Sequence, residues 1–354
     1  MILERIDLKN FRGYERLSLD LSGGVNVIEG PNGSGKTNLA EAVYCLSMAR
    51  SWRTPSFAPL VREGADYARI TAFLKEGGIS EKVDLLFSKA ERRVLLNEKP
   101  ARKLSELSKL TRISLFSPQD VALFKGSPGA RRNFLDVSIS SRDQSYLEAI
   151  SRYEKLLGER NALLKEISPN QDLLDVLSGQ MATECERIVA SRLAFTHLVN
   201  KCLEDLAPSL YGANRRLYAV YQPFVRGENS KEAALSAFQK AKEADLLRRV
   251  TTVGVHREDF SLLLDGKDVS LFGSQGENRI AAIALKLCPS LVEAEGKAPI
   301  TILDDVYSEL DEERAANLSK VLKGIGQAFV TTVDTIIPGA SYIEVLHHNA
   351  IRRN

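Results

Sequence analysis

Cysteine is scarce and scattered in this chain. Its 354 residues hold four, Cys45, Cys185, Cys202 and Cys288, and no two form a C-x-x-C pair. That pattern excludes a disulfide framework and a cysteine-based zinc site, and it fits a reducing compartment. An excess of either charge is also missing. The chain has 48 Lys and Arg against 46 Asp and Glu, a formal net charge of +2. Near-neutrality neither demands nor excludes nucleic acid, so any contact with a polyanion must come from local patches. No apolar run approaches the roughly 20 residues a membrane helix needs. The chain opens on strand-like Ile2-Leu3-Glu4-Arg5-Ile6-Asp7-Leu8, without the basic-then-apolar pattern of a secretory leader. Internal repeats and low-complexity tracts are lacking. The expectation is a soluble, cytoplasmic protein of one large domain or two; 44% hydrophobic and 27% charged residues are ordinary for that class.

What the chain does contain is Gly30-Pro31-Asn32-Gly33-Ser34-Gly35-Lys36-Thr37, which is G-x-x-x-x-G-K-[ST]. Gly30, Gly33 and Gly35 let the backbone curl so that its N–H groups cradle phosphate oxygens. Lys36 supplies a point charge to the β/γ-phosphates, and the Thr37 hydroxyl can ligate Mg²⁺. The flanks agree. Val25-Asn26-Val27-Ile28 is an apolar run, and a helix-forming stretch from Asn38 to Ala49 follows the loop. A strand, a glycine loop and a helix start place phosphate at a positive helix N-terminus.

The first hundred residues predict strands at 2–8, 16–21, 25–29, 69–74, 82–87 and 92–96, with turns at Gly77-Gly78 and Asn97-Glu98. From about residue 141 the period changes. Tyr146, Ile150, Tyr153, Leu157, Leu164 and Ile167 recur at helical spacing, then Ser168-Pro169-Asn170 breaks the pattern. A second stripe follows: Leu173, Leu177, Met181, Cys185, Ile188, Phe195, Val199, Cys202 and Leu206, with Pro208 expected to end it. Two helices joined by a tight turn predict an antiparallel hairpin, which is either a projecting arm or a packing element. A third helix is expected over 231–249, capped by Ser230. Buried strands are expected at 300–303 and 328–331.

The second half of the site lies far along the chain. Pro299-Ile300-Thr301-Ile302-Leu303-Asp304-Asp305 is an apolar strand ending in two carboxylates, at the end where α/β folds bind ligands. Asp304 is placed to hold Mg²⁺, directly or through water, and Asp305 to orient or deprotonate the attacking water. Phe272-Gly273-Ser274-Gln275-Gly276-Glu277-Asn278-Arg279 opens a helix that Pro289 should kink or end. Phe116-Ser117-Pro118-Gln119-Asp120 and Ser308-Glu309-Leu310-Asp311 complete an ordered set.

That order of phosphate loop, glutamine loop, Ser-Gln-Gly signature, Asp-Asp strand end and Ser-x-Leu-Asp loop resembles the ABC-type ATPase head. Further blocks narrow it: Asn10-Phe11-Arg12-Gly13-Tyr14, Ser51-Trp52-Arg53-Thr54, Phe124-Lys125-Gly126-Ser127-Pro128, Arg131-Arg132-Asn133-Phe134-Leu135-Asp136 and Gly254-Val255-His256-Arg257-Glu258-Asp259. With these, residues 2 to about 340 resemble the RecF family of bacterial DNA-repair proteins. The resemblance implies an α/β fold: an ABC/SMC-type P-loop ATPase head built from both chain ends, 1–125 and 250–354. A mainly helical insertion over 126–249 would contain the antiparallel helix hairpin. It also implies ATP and Mg²⁺, an ATP-dependent homodimer, double-stranded DNA as ligand, and action with RecO and RecR to help RecA load at single-strand gaps. Slow, DNA-stimulated hydrolysis is expected.

On this reading Gly30 to Asn38 (Pro31, Asn32 and Ser34 included) bind ATP, Lys36 and Asp305 act in catalysis, and Thr37, Gln119 and Asp304 serve the metal. Ser274, Gln275 and Gly276 complete the γ-phosphate shell in trans. Arg12, Gln119, Asp311 and Thr332 lie near the nucleotide. Lys125, Arg131 and Arg132 are DNA candidates beside Arg142, with Arg248, Arg249 and Arg257 as a second cluster. His256 and Arg257 could instead brace the signature loop. The sequence departs from the family pattern in Gln119 for Glu, Val255 for Pro, and Thr331-Thr332 where many ABC heads carry histidine. The hydroxyls and the short Asp305 argue for slow turnover. A transport ATPase subunit, a small-molecule P-loop enzyme and a non-hydrolysing ATP-binding scaffold are the alternatives.

Overall fold

The computed structural model describes residues 1–121, 123, 126–212, 214–227, 229–292, 298–308 and 310–353. They divide into two compact units, Met1–Val121 with Asp205–Arg215 and Gln275–Asn354, and Ala122–Glu204 with Arg216–Ser274. The first unit therefore draws on both ends of the chain. Residues 250–274 cluster with the second unit, and 205–215 with the first.

Two sheets build the first unit. One is antiparallel: β1 (Ile2–Phe11), β2 (Tyr14–Asp20), β4 (Tyr67–Glu76), β5 (Ile79–Ser88), β6 (Arg92–Leu96) and β7 (Lys99–Pro100), in the order β2-β1-β4-β5-β6-β7. The other comprises β3 (Val25–Glu29), β8 (Ile113–Phe116), β12 (Ile300–Leu303), β13 (Ala328–Thr332), β14 (Ser341–Leu346) and β15 (Asn349–Arg353), in the order β15-β14-β3-β13-β12-β8. Its strands run parallel except at the β14–β15 hairpin. Alternation in β1 (Leu3, Ile6, Leu8, Phe11) and continuous burial in β12 follow from one-sided and two-sided packing respectively. The helix Lys36–Met48 packs its Leu39, Val43 and Leu46 into the core that the two sheets share. At the two predicted hairpin turns, Gly77-Gly78 and Asn97-Glu98, both residues have positive φ, as a two-residue primed turn requires.

In the second unit the helix Gln144–Leu163 and residues 171–204 of the helix Gln171–Tyr211 form the hairpin. Arg152 meets Glu184 at 2.8 Å, and Arg160 Nε donates to Ser178 Oγ at 3.1 Å. The pairing moves backward on one helix as it moves forward on the other, so the two run antiparallel. Three local expectations are corrected. Pro208 does not end the long helix, which continues to Tyr211; proline forfeits one N–H donor but leaves the following carbonyls usable, and Pro208 O accepts from Gly212 N–H. Ser230 is the first helical residue rather than the cap, which falls on Asn229. Ile167 and Leu173 are exposed, and Leu174 takes the core position. A small sheet, β9 (Leu217–Gln222), β10 (Asp259–Leu264) and β11 (Lys267–Asp268), completes this unit.

Candidate nucleotide site

The glycine loop takes its shape from three left-handed residues, Gly30 (φ 148°), Gly33 (φ 79°) and Gly35 (φ 116°). A side chain is barred at two of them by contact as well as by φ. A Cβ on Gly30 would lie 2.2 Å from the Val345 carbonyl oxygen, and one on Gly35 would lie 2.6 Å from His348 Nδ1. The β14–β15 hairpin is therefore the wall behind the loop. His348 N–H donates to Ser34 O at 2.8 Å, its ring stands edge-on to Tyr14 at 5.8 Å, and Tyr14 Oη donates to Gly35 O at 3.1 Å. Nothing in the sequence pattern marked that hairpin as part of the site.

Lys36 turns back over the loop, with Nζ donating to the carbonyls of Gly30 (2.6 Å) and Pro31 (2.8 Å). Burial draws its pKa down, while Asp305 and Asp304 push it up. Thr37 Oγ1 donates to Asp304 Oδ1 at 3.0 Å, joining residues 267 positions apart. Thr331 Oγ1 donates to the same oxygen at 2.8 Å and accepts the Asp305 N–H at 2.8 Å. Burial pushes the Asp304 carboxyl above the usual carboxylate range; the Thr331 and Thr37 hydroxyls oppose that, and the neighbouring Asp305 adds to it. Asp305 sits at φ 51°, a left-handed conformation that stores strain at the strand end.

The chain passes from one unit to the other within the signature residues. Ser274 closes one, and Gln275 and Gly276 open the helix Gln275–Leu291 in the other. Ser274 and Gln275 are exposed. The buried Arg279 of that helix donates through Nη2 to Asp305 O at 2.7 Å and to Ser308 Oγ at 3.3 Å. The helix start is thus tied to the acidic strand end. Tyr211 Oη also donates to Glu277 O at 2.5 Å, and Arg215 pairs with Glu277 at 2.8 Å.

Other predicted residues fall outside this cluster. Arg12 grips the fully buried Glu41 through Nε (2.8 Å) and Nη2 (2.6 Å), and Arg53 Nη1 donates to Asn38 Oδ1 at 2.9 Å. Gln119 is exposed in the turn Pro118–Val121, whereas Asp120 pairs with Lys286 at 2.9 Å. Asp311 caps the helix Glu312–Leu322 by accepting from Arg314 N–H. Thr332 bonds to Thr335, so Thr331 is the hydroxyl at the carboxylates. Among the DNA candidates, Arg131 is held bidentate by Asp259 (2.8 and 2.9 Å), and Arg132 Nη1 donates to Glu258 O at 2.6 Å. Lys125 lies outside the described residues. His256 accepts from Tyr153 Oη at Nδ1 (2.7 Å) and donates from Nε2 to Thr251 O (3.1 Å), and burial lowers its pKa to about 4.

The donor set fits a nucleotide with its metal. Ser34 Oγ is buried without a hydrogen-bond partner at the loop, and Lys36 is held by carbonyls alone, so both can turn to phosphate oxygens. Thr37 and Asp304 offer hard oxygen ligands beside each other, as Mg²⁺ prefers, and the described residues contain no cluster of three or more His, Cys, Asp or Glu that would hold a metal alone. A phosphate loop on a parallel sheet, an acidic strand end from the far terminus and an inserted helical hairpin define a P-loop ATPase head of the ABC/SMC class.

The family model described as RecF/RecN/SMC N terminal domain matches residues 2–343. The chain is 38% identical over 342 residues to the DNA replication and repair protein RecF of Bacillus cytotoxicus, covering 94% of this chain and 92% of that one. The chain belongs to the RecF family. It is also similar to solved structures of the recombination mediator protein RecF with ATP in the RecFOR pathway, at a TM-score of 0.88 and 30% identity over 99% of each chain. An SMC head domain from Pyrococcus furiosus shares the fold at a TM-score of 0.62 and 15% identity.

Proposed function

We propose that this protein is a slow, ATP-driven DNA clamp of recombinational repair. Its parallel-sheet unit serves as the ATPase head, and the helical unit as the insertion. The observation that carries the reading is the Thr37–Asp304 contact, which brings the phosphate loop and the acidic strand end to one point. Lys36 and the loop amides hold the triphosphate. Thr37 and Asp304 hold Mg²⁺, which neutralises charge on the phosphates. Asp305 orients the water that attacks the γ-phosphate and accepts its proton. Ser274, Gln275 and Gly276 of a second copy cover the same γ-phosphate, with the free N–H groups of a helix start facing the anion. Neither half-site is complete alone, so ATP favours the dimer by its differential affinity. Double-stranded DNA beside a single-strand gap is the ligand, and RecO and RecR are the partners that promote RecA loading.

The test is the protein's size in solution with and without Mg-ATP, repeated with short duplex DNA. Dimerisation on ATP and salt-sensitive duplex binding are expected. A monomer indifferent to ATP, or one that ignores DNA, would move the assignment to a transport-type or small-molecule ATPase. Lys36→Arg should lower turnover while sparing some nucleotide binding; normal hydrolysis by that variant would refute the site.

A further inference from the structure

A cavity in the first unit lies along the helix that follows the glycine loop, and its Arg53 acts electrostatically on Asp304. The cavity measures about 550 Å³, and its larger lining side chains are Tyr44, Arg50, Trp52, Arg53, Phe57 and Arg92. Three of these side chains are arginines, three are aromatic, and none is a carboxylate. The α-helical rise puts Tyr44 roughly 12 Å along the helix from Lys36. Chain and helix converge here because Ser51 and Arg53 return along the helix to reach Glu41 and Asn38.

The lining is arranged rather than collapsed. Arg92 is fixed by donation to Ala49 O at 3.2 Å and lies over the Phe57 ring at 5.3 Å. Tyr44 and Trp52 meet edge to face at 5.2 Å, a contact that leaves ring surface open to a further stack. Arg53 already bonds to Asn38 and lies 3.4 Å from Glu41, whereas the lining gives Arg50 and Arg92 no carboxylate. Arg92 has its pKa drawn down by burial and by the nearby Arg50. Two cations held close with no counter-charge in the lining form a site that an anion stabilises.

We infer that this cavity takes one unpaired nucleotide of DNA, its base stacked on the Trp52 ring with Tyr44 bordering it edge-on, and its phosphate held by Arg50 and Arg92. The inference rests on the DNA-binding reading above and adds to it where a gap is sensed. Duplex DNA keeps its base faces inside the stack and offers a protein phosphates and groove edges, so arginines alone would serve it. Aromatic faces beside arginines suit an unstacked base, which has a π-face whatever its sequence. The volume falls in the range of small-ligand pockets and admits a nucleotide, not a helix.

Trp52 is the chain's one tryptophan, so fluorescence excited at the red edge of the band, where its ten tyrosines do not absorb, reports on this cavity. With Mg-ATP constant, the protein is titrated with single-stranded oligo(dT), a gapped duplex and a blunt duplex, and total binding is followed by anisotropy of labelled DNA. Single-stranded and gapped DNA should quench Trp52, and blunt duplex should not. Arg50→Ala should weaken gapped-duplex binding about 10-fold, the scale of one charge-assisted phosphate contact, and leave blunt-duplex affinity and ATP turnover within about twofold. Gapped duplex that binds with Trp52 silent and Arg50→Ala without effect would overturn the pocket while leaving DNA binding intact. Equal quenching by blunt duplex, or by free thymidine monophosphate at the same concentration, would also overturn it. No anisotropy change with any DNA would instead strike the functional reading beneath it.

Discussion

Thr331→Val is the substitution that separates this site from its neighbours. Valine matches threonine in shape and strand preference, so the change removes chiefly one hydroxyl from β13. That hydroxyl donates to Asp304 Oδ1 at 2.8 Å and accepts the Asp305 N–H at 2.8 Å. Losing a hydrogen bond to a buried carboxylate costs about 1.5–3 kcal/mol, and leaving the Asp305 N–H unpaired costs about 1 more, since Asp305 is only half-buried. The total is about 3 kcal/mol, read as a lower urea midpoint by circular dichroism. Thr332→Val should cost under about 1 kcal/mol, because Thr332 bonds only to the nearby Thr335 hydroxyl. Thr331→Ser keeps the hydroxyl and should recover most of the stability. The same order should appear in Mg²⁺-dependent ATP turnover, since Thr331 helps hold Asp304 ionised against the upward push of burial. Equal midpoints for Thr331→Val and Thr332→Val would refute the reasoning.

Gly13→Ala should weaken ATP binding severalfold, because its Cβ would fall 2.4 Å from the His348 ring; adding His348→Ala should restore part of the loss, and simple additivity in a calorimetric titration would exclude a clash. Arg160→Met strips the partner from Asp245 in a pair that is essentially fully buried, so destabilisation of about 3–5 kcal/mol is expected in urea; a change under 1 would mean that water reaches the pair. His256 has a folded pKa of about 4 against 6.5 for the free side chain, so the unfolded chain binds more protons between those values. Its contribution is therefore present above pH 6.5 and is lost as pH falls toward 4. The fall from 6.5 to about 4 corresponds to roughly 3 kcal/mol in all, of which about 2 kcal/mol is lost between pH 7 and 5, and His256→Gln should remove about that much of the pH dependence of stability in urea over that range.

The parts of the fold that repeat were readable from residue order. Local alternation at Ile6 and Leu8 and at Leu17 and Leu19 marked β1 and β2, and Gly77-Gly78 and Asn97 marked the two hairpin turns. The paired helical stripes marked the long hairpin. Proline was overread: at Pro208 the helix already has tertiary partners, since Leu206 and Leu210 on either side are buried. The short strands β8 and β9 escaped notice because no motif marks their ends, whereas the equally short β3 and β12 run into the glycine loop and the paired carboxylates.

The site shows the same division more sharply. Lys36, Thr37, Asp304 and Asp305 were visible because their chemistry is written into short motifs. Their supports were not. Thr331 and Thr332 look alike in sequence, and successive strand residues point to opposite faces, so one position decides which hydroxyl meets the carboxylates. Arg279 carried a signal, a cation immediately before the apolar run Ile280 to Leu285. His348 carried none, because its role comes from a contact that spans more than 300 positions of sequence. That contact is also what makes Gly35 irreplaceable beyond its φ. The motif states which atoms meet phosphate, and the carboxyl-terminal hairpin decides whether the loop can hold the shape that presents them.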